Sequence, residues 1–233
     1  MEQMVPMHII ARIRSEFPTK FGIPRQSGVI DALRSTVVFE PAYRNPHALR
    51  GLEDFTHIWL LWQFSQAVRG GWTPTVRPPR LGGNTRLGVF ATRSPFRPNS
   101  IGLSSVRLEK VQMESKDGPL LHVSGADLMD GTPIFDIKPY LPYTDAHPDA
   151  AGGFAPQAVK DALDVVFPSN LLEQIPTESR DSLMAVLAQD PRPAYHHTPD
   201  RVYGLQFAGY EIKFKVCDHE LTVLQAVPIA RMV

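Results

Sequence analysis

Apolar and polar positions alternate with a period of two through much of the first 140 residues. His8 to Ile13 puts Ile9, Ala11 and Ile13 on one side, with Arg12 and Arg14 facing the other way, the mark of a half-buried strand. Ser35 to Glu40 reads as a second strand stopped by Pro41. Thr56 to Phe64, THIWLLWQF, is continuously apolar and aromatic, too short for most helices and rich in β formers, which predicts a buried central strand. Leu87 to Ala91 opens as an apolar strand. Val106 to Met113, Pro119 to Val123 and Ile134 to Ile137 supply more, while Ala48 to Phe55 is either one helical turn or a loop.

The pattern changes after Asp145. Ala, Gly and Pro crowd positions 146 to 156, a candidate linker. Beyond it, Leu183, Met184, Val186 and Leu187 fall at helical spacing within Glu178 to Gln189. Tyr203 to Phe207, Tyr210 to Val216 and Leu221 to Ala226 alternate as three short strands. The expected fold is therefore mainly β. Residues 1–145 form a barrel or curled sheet, since no strand-helix alternation is present, and residues 157–233 form a smaller α+β domain.

Composition bounds the function. The chain has 233 residues, 43% of them hydrophobic and 21% charged, with a formal net charge of zero, which on its own argues against nucleic-acid binding by bulk charge. The distribution is uneven. From Phe55 to Leu108 there is no Asp or Glu, while Arg69, Arg77, Arg80, Arg86, Arg93, Arg97 and Arg107 all fall there. Seven arginines without a local acid point to an anionic partner, and the acids dominate later in the chain. One cysteine excludes an internal disulfide framework and fits a reducing compartment. No run approaches the roughly 20 apolar residues of a spanning helix, and no signal-peptide core is present, so a cytoplasmic protein without a membrane partner is expected.

Metal chemistry and the common cofactor motifs find no support. The eight histidines are scattered, a second cysteine is lacking, and neither a Gly-x-Ser-x-Gly elbow nor a phosphate-binding glycine loop occurs. What remains is a set of polar loops beside predicted strands: Pro24-Arg25-Gln26, Ser65-Gln66, Arg93 to Gly102, and Asp127 to Asp136. Phe21 to Gly28 reads either as a ligand loop or as a plain connector. Pro95 and Pro98 stiffen the loop bearing Arg93, Arg97 and Asn99. If these loops converge on one barrel rim, they make a cleft of arginines, amides and carboxylates for a ligand bearing both charges. A surface of mutually satisfied ion pairs is the alternative.

Five long motifs in order carry a resemblance. The runs Gly71 to Asn84 (GWTPTVRPPRLGGN), Gly88 to Asn99 (GVFATRSPFRPN), Asp127 to Pro133 (DLMDGTP), Asp136 to Pro142 (DIKPYLP) and Gln189 to Tyr195 (QDPRPAY) resemble the TsaA-like family over nearly the whole chain. Two positions depart from its pattern: Ser100 replaces a usual proline, and Ser65 stands where a close relative has histidine.

The resemblance implies a TsaA-like β-barrel that uses S-adenosyl-L-methionine and works as a homodimer. It further implies methylation of N6 of a threonylcarbamoyl-modified adenosine just 3′ of a tRNA anticodon. The cofactor residues it implies are Pro24, Arg25, Gln26, Ser65, Gln66, Arg93, Leu103 and the segment Gly125, Ala126, Asp127 and Leu128. An arginine suits the cofactor's carboxylate, and Asp127 an amino or hydroxyl donor.

Methyl transfer needs mainly alignment, worth up to roughly 7–11 kcal/mol. The exocyclic nitrogen of adenosine is a poor nucleophile and needs a proton acceptor, so Asp130 and Asp136 are catalytic candidates, with Lys138 and Tyr140 to orient the base. A base in the anticodon loop can be splayed out without opening a duplex. Arg69, Arg77, Arg80, Arg86 and Arg97, with Arg192 and Tyr195 of the smaller domain, become candidate tRNA contacts. Two rivals stay open: a non-catalytic RNA-binding barrel without a cofactor, and a methyltransferase acting on another acceptor.

Overall fold

The computed structural model describes residues 5–68, 72–78, 81, 84–155, 162–193 and 201–230. Its strands are β1 (Ala11–Arg14), β2 (Arg34–Phe39), β3 (His57–Gln63), β4 (Thr75–Val76), β5 (Leu87–Gly88), β6 (Ile101–Gln112), β7 (Leu120–Ser124) and β8 (Pro133–Pro139) in the first part. Helix α1 (Pro142–Asp145) follows, and then β9 (Asp164–Val166), α2 (Ser169–Leu172), α3 (Thr177–Ala188), β10 (Tyr203–Phe207), β11 (Tyr210–Cys217) and β12 (Glu220–Pro228).

Six strands close into an antiparallel barrel in the order β1-β2-β7-β6-β3-β8. Inward positions follow from the alternation. Ala11, Ile13, Val37, Ile58, Leu60, Trp62, Val106, Val123 and Ile134 are all buried in one core. Because every neighbouring pair runs antiparallel, β1, β3 and β7 rise towards one end while β2, β6 and β8 leave from it. The β1–β2, β3–β6 and β7–β8 connections therefore all emerge on one rim, which brings three of the polar loops together.

The second unit is a four-stranded sheet, β10-β11-β12-β9, covered by α3. Strand β9 runs parallel to β12 and lies outside the three strands predicted for this unit. The spatial boundary does not follow the sequence boundary. Phe17, Ile30 and Leu33, from the β1–β2 connection, are buried in the core of this second unit together with Leu183, Leu187, Leu205, Phe207 and Phe214. Phe17 meets Phe207 edge-on at 5.1 Å. The Ala208 N–H donates to the Glu16 carbonyl at 2.9 Å, and the Ser182 hydroxyl donates to the Glu16 carboxylate at 3.1 Å. Each fully buried phenylalanine stabilises this join by about 1.5–3 kcal/mol.

One strand expectation fails. The ladder expected from Leu87 to Ala91 stops at Gly88, and Val89–Ala91 forms a 3-10 turn. The cause is local: the Val89 carbonyl accepts from the Thr92 N–H, the Thr92 hydroxyl and the Arg97 guanidinium, which leaves no strand partner for it. Ala48 to Phe55 resolves into two short 3-10 turns, Pro46–Leu49 and Leu52–Asp54.

Candidate active site

The rim is built around one carboxylate. Asp127 lies in the β7–β8 connection, two residues after Gly125, whose φ of +74° favours glycine. A side chain at Gly125 would also press on the backbone of Gly28 at 3.4 Å. That close approach lets the Gly28 N–H donate to the Gly125 carbonyl at 2.9 Å and the Gly125 N–H to the Leu33 carbonyl at 3.0 Å, which ties the β1–β2 loop to this turn.

Asp127 accepts a hydrogen bond from the Ser104 hydroxyl at 2.6 Å, and Ser104 in turn accepts from the Trp62 indole N–H at 2.9 Å. Trp62 reaches Ser104 only because position 102 is glycine: a Cβ there would sit 2.3 Å from the indole ring. Burial pushes the Asp127 carboxyl above the usual aspartate range. The Ser104 hydroxyl, the positive charge of Arg93 and the Ser27 N–H pull it back part of the way. The Arg93 guanidinium donates to the Gln26 side-chain carbonyl. Gln26, Ser27, Arg93, Ser104 and Asp127 thus converge from three separate connections and one strand. Among the described residues Asp127 makes no ion pair, so a half-buried negative charge faces the rim without a cation bonded to it.

The other candidates divide. Pro24 and Arg25 lie on the same loop as Gln26. Ala126 and Leu128 are buried in the barrel core, so only their backbone faces the site. Ser65 and Gln66 are exposed just past the end of β3, on the same rim. Leu103 is 56% exposed on the outer face of β6, because alternation turns its neighbour Ser104 inward. Asp130 is on the rim, with one carboxylate oxygen accepting from the Ser15 N–H at 3.0 Å.

The other three catalytic candidates lie along β8 and just past its end. Asp136 and Lys138 pair with each other at 2.9 Å on β8 as it runs away from the rim. Tyr140 packs against Trp59 at 5.5 Å, and its N–H donates to the carbonyl of His57, at the start of β3 and the far end of the barrel. Seven residues of strand from Pro133 to Tyr140 span about 23 Å.

Two expected tRNA contacts are occupied internally. Arg97 donates to the carbonyls of Val89 and Thr92, and Arg192 forms a two-pronged pair with Asp190 at 2.7 and 2.9 Å. Arg107 pairs with Glu109 at 3.6 Å, so the seven arginines are not uniformly unpartnered. Arg77 and Arg86 are exposed, whereas Arg69, Arg80 and Tyr195 lie outside the described residues. Ser104 and Trp62 were missed as site residues. The signal was a serine at an inward position of an otherwise apolar strand face. Among the described residues no group of three or more His, Cys, Asp or Glu could hold a metal ion, and no helix is long and apolar enough to cross a membrane.

Comparison with known proteins agrees with this architecture. The family model for the tRNA-methyltransferase O N-terminal domain matches residues 12–146, and that for the TrmO C-terminal domain matches residues 160–229. A protein of Escherichia coli K12 named tRNA (adenine(37)-N6)-methyltransferase is 42% identical over 227 residues, covering 94% of this chain and 96% of its own length. A protein of the same name from Eikenella corrodens is 47% identical over 176 residues, covering 75% of this chain and 97% of its own. The crystal structure of TrmO from Pseudomonas aeruginosa matches with a TM-score of 0.77 at 35% identity, over 97% of this chain and all of that one. With both family models in register on the barrel and on the second sheet, the chain belongs to the tRNA-methyltransferase O family.

Proposed function

We propose that the chain is an S-adenosyl-L-methionine-dependent tRNA methyltransferase acting on N6 of the adenosine just 3′ of the anticodon, in its threonylcarbamoyl-modified form. The observation that carries this reading is the desolvated Asp127 carboxylate, held by Ser104 beside Arg93 and Gln26, with no ion pair to neutralise it among the described residues. A half-buried carboxylate whose charged form is desolvated calls for a cationic ligand. The donor set fits the cofactor, which joins a sulfonium, an amino acid and an adenosine.

When bound, that cofactor supplies a methyl group on a positively charged sulfur. Asp127 takes up its cationic part, and Arg93 with Gln26 meets its carboxylate. The backbone from Pro24 to Gln26 reads the adenine edge, and that loop is held in place by the second unit through Phe17. Asp130 lies three residues beyond Asp127 on the same turn and accepts the N6 proton. A carbamoyl group on N6 makes that proton more acidic, so a carboxylate suffices as acceptor. Arg77 and Arg86 meet phosphates. A second copy covering the exposed Leu103 on the outer face of the barrel makes a homodimer. An enzyme that consumes tRNA and this cofactor works in the cytoplasm.

The test combines calorimetry with mass spectrometry. Titration with S-adenosyl-L-methionine gives saturable heat, and tRNA incubated with the protein and cofactor gains one methyl on the threonylcarbamoyl adenosine. A protein that binds tRNA but yields no heat with the cofactor is an RNA-binding module instead. Transfer to a different nucleoside refutes the acceptor.

A further inference from the structure

The long β3–β6 connection carries two aromatic rings that the chemistry above does not use. Strands β4 and β5 pair antiparallel, Thr75 with Gly88 and Val76 with Leu87, so Arg77 and Arg86 face each other one step beyond the ladder. At its other end, Trp72 and Phe90 meet with ring centroids 6.0 Å apart and planes 34° apart. Phe90 is 71% exposed and Trp72 48%. Two large apolar rings held together in water are costly unless something covers them.

Phe90 is also fixed. Its turn is anchored by buried Val89, whose N–H donates to the Pro74 carbonyl at 2.9 Å and whose carbonyl accepts from Arg97 at 3.1 Å. The guanidinium carbon of Arg97 lies 5.6 Å from the Phe90 ring centroid. A ring held in this way offers its face without losing rotamer freedom on binding.

We propose that Trp72 and Phe90 form a stacking platform for an unpaired base of the tRNA loop, flanking the adenosine that enters the Asp127 pocket, with Arg77 and Arg86 set against its phosphates. The inference rests on the tRNA reading above and adds the element that grips a neighbouring nucleotide. Phe90 precedes Arg93 by three residues, at most about 11 Å of chain, so a base on the platform is close to one in the pocket. Charge decides the occupant. The stretch from Phe55 to Leu108 holds seven arginines and no acid, and among the described residues Arg77 and Arg86 make no ion pair. A two-fold contact with a second copy through this face would oppose the same arginines to each other, whereas RNA neutralises them.

The experiment measures binding of a labelled anticodon stem-loop by fluorescence anisotropy, without cofactor, so that its outcome does not depend on methyl transfer. Phe90→Ala and Trp72→Ala each weaken binding about 5- to 150-fold, the range for loss of one stacked base. Cofactor affinity and melting temperature stay at wild-type values. Phe90→Tyr restores binding, and Phe90→Leu, apolar but without a π face, does not. Arg77→Ala and Arg86→Ala flatten the salt dependence, whereas the aromatic variants leave its slope unchanged. Unchanged binding in Phe90→Ala overturns the platform, as does rescue by leucine. A change in the light-scattering mass of Phe90→Ala also overturns it, by assigning the face to a second copy. If the stem-loop binds through these rings but wild-type protein transfers no methyl group, the enzymatic reading fails while the platform stands.

Discussion

Replacing Ser104 with alanine tests the rim at its centre. The hydroxyl is 1% exposed and stands between the Trp62 indole, which donates to it at 2.9 Å, and the Asp127 carboxylate, to which it donates at 2.6 Å. Loss of a hydrogen bond to a charged acceptor costs about 1.5–3 kcal/mol, and the low end applies because Asp127 is only half-buried. The Trp62 N–H left unsatisfied in the core adds about 1–3 kcal/mol. A total of about 3 kcal/mol lowers the melting temperature by about 6–12 °C at this chain length. Ser104 is also the strongest of the influences that lower the Asp127 pKa, so the variant's carboxyl titrates higher than wild type. The anionic form that receives a cation is then scarcer at low pH. Calorimetry over a pH series shows cofactor affinity falling off at a higher pH in the variant than in wild type. A melting temperature within about 2 °C of wild type, or superimposable pH profiles of cofactor affinity, refutes the relay.

Two further outcomes follow from the same geometry. Asp127→Asn raises the melting temperature near neutral pH and abolishes cofactor binding. Burial holds the folded-state pKa above its unfolded value, so the aspartate's contribution to stability is full at acidic pH and is lost as pH rises through the raised pKa; the variant's advantage therefore grows across that window and is absent below about pH 4. Phe207→Ala removes the partner of Phe17, costs about 3–5 kcal/mol, and speeds hydrogen exchange in residues 15–33 while the amides of β3 and β6 exchange as before. It also weakens cofactor binding, although Phe207 lies in the core of the second unit; wild-type affinity in a folded variant contradicts the role given to that unit.

Alternation made most of the barrel legible, because a strand with one buried face writes its period into the chain. Ala11–Arg14, with Ala11 and Ile13 turned inward and Arg12 and Arg14 outward, is the clearest case, whereas His57–Gln63 was legible from its unbroken run of β formers. Leu87 to Ala91 was illegible because Arg97, eight residues after Val89, captures the Val89 carbonyl, and no local pattern encodes that. Gln26, Arg93 and Asp127 were recognisable from their motifs, but their convergence depends on an all-antiparallel strand order that periodicity does not carry. Lys138 and Tyr140 follow Asp130 closely in sequence but lie along and just past β8, which runs the length of the barrel. Arg97 and Arg192 read as free cations because their partners are carbonyls and a carboxylate two residues away.

The sharing of Phe17, Ile30 and Leu33 with the second sheet has a consequence for the order of events on the ribosome. The barrel has all six of its strands once β8 emerges, but the loop that carries Arg25 and Gln26 waits for Leu205, Phe207 and Phe214, more than 60 residues later. Nascent chains fold from the N-terminus onward, so the barrel is complete before its mouth is. Competence for the cofactor is therefore acquired only once the second sheet has emerged, and a chain released before that is a barrel with an unfinished mouth.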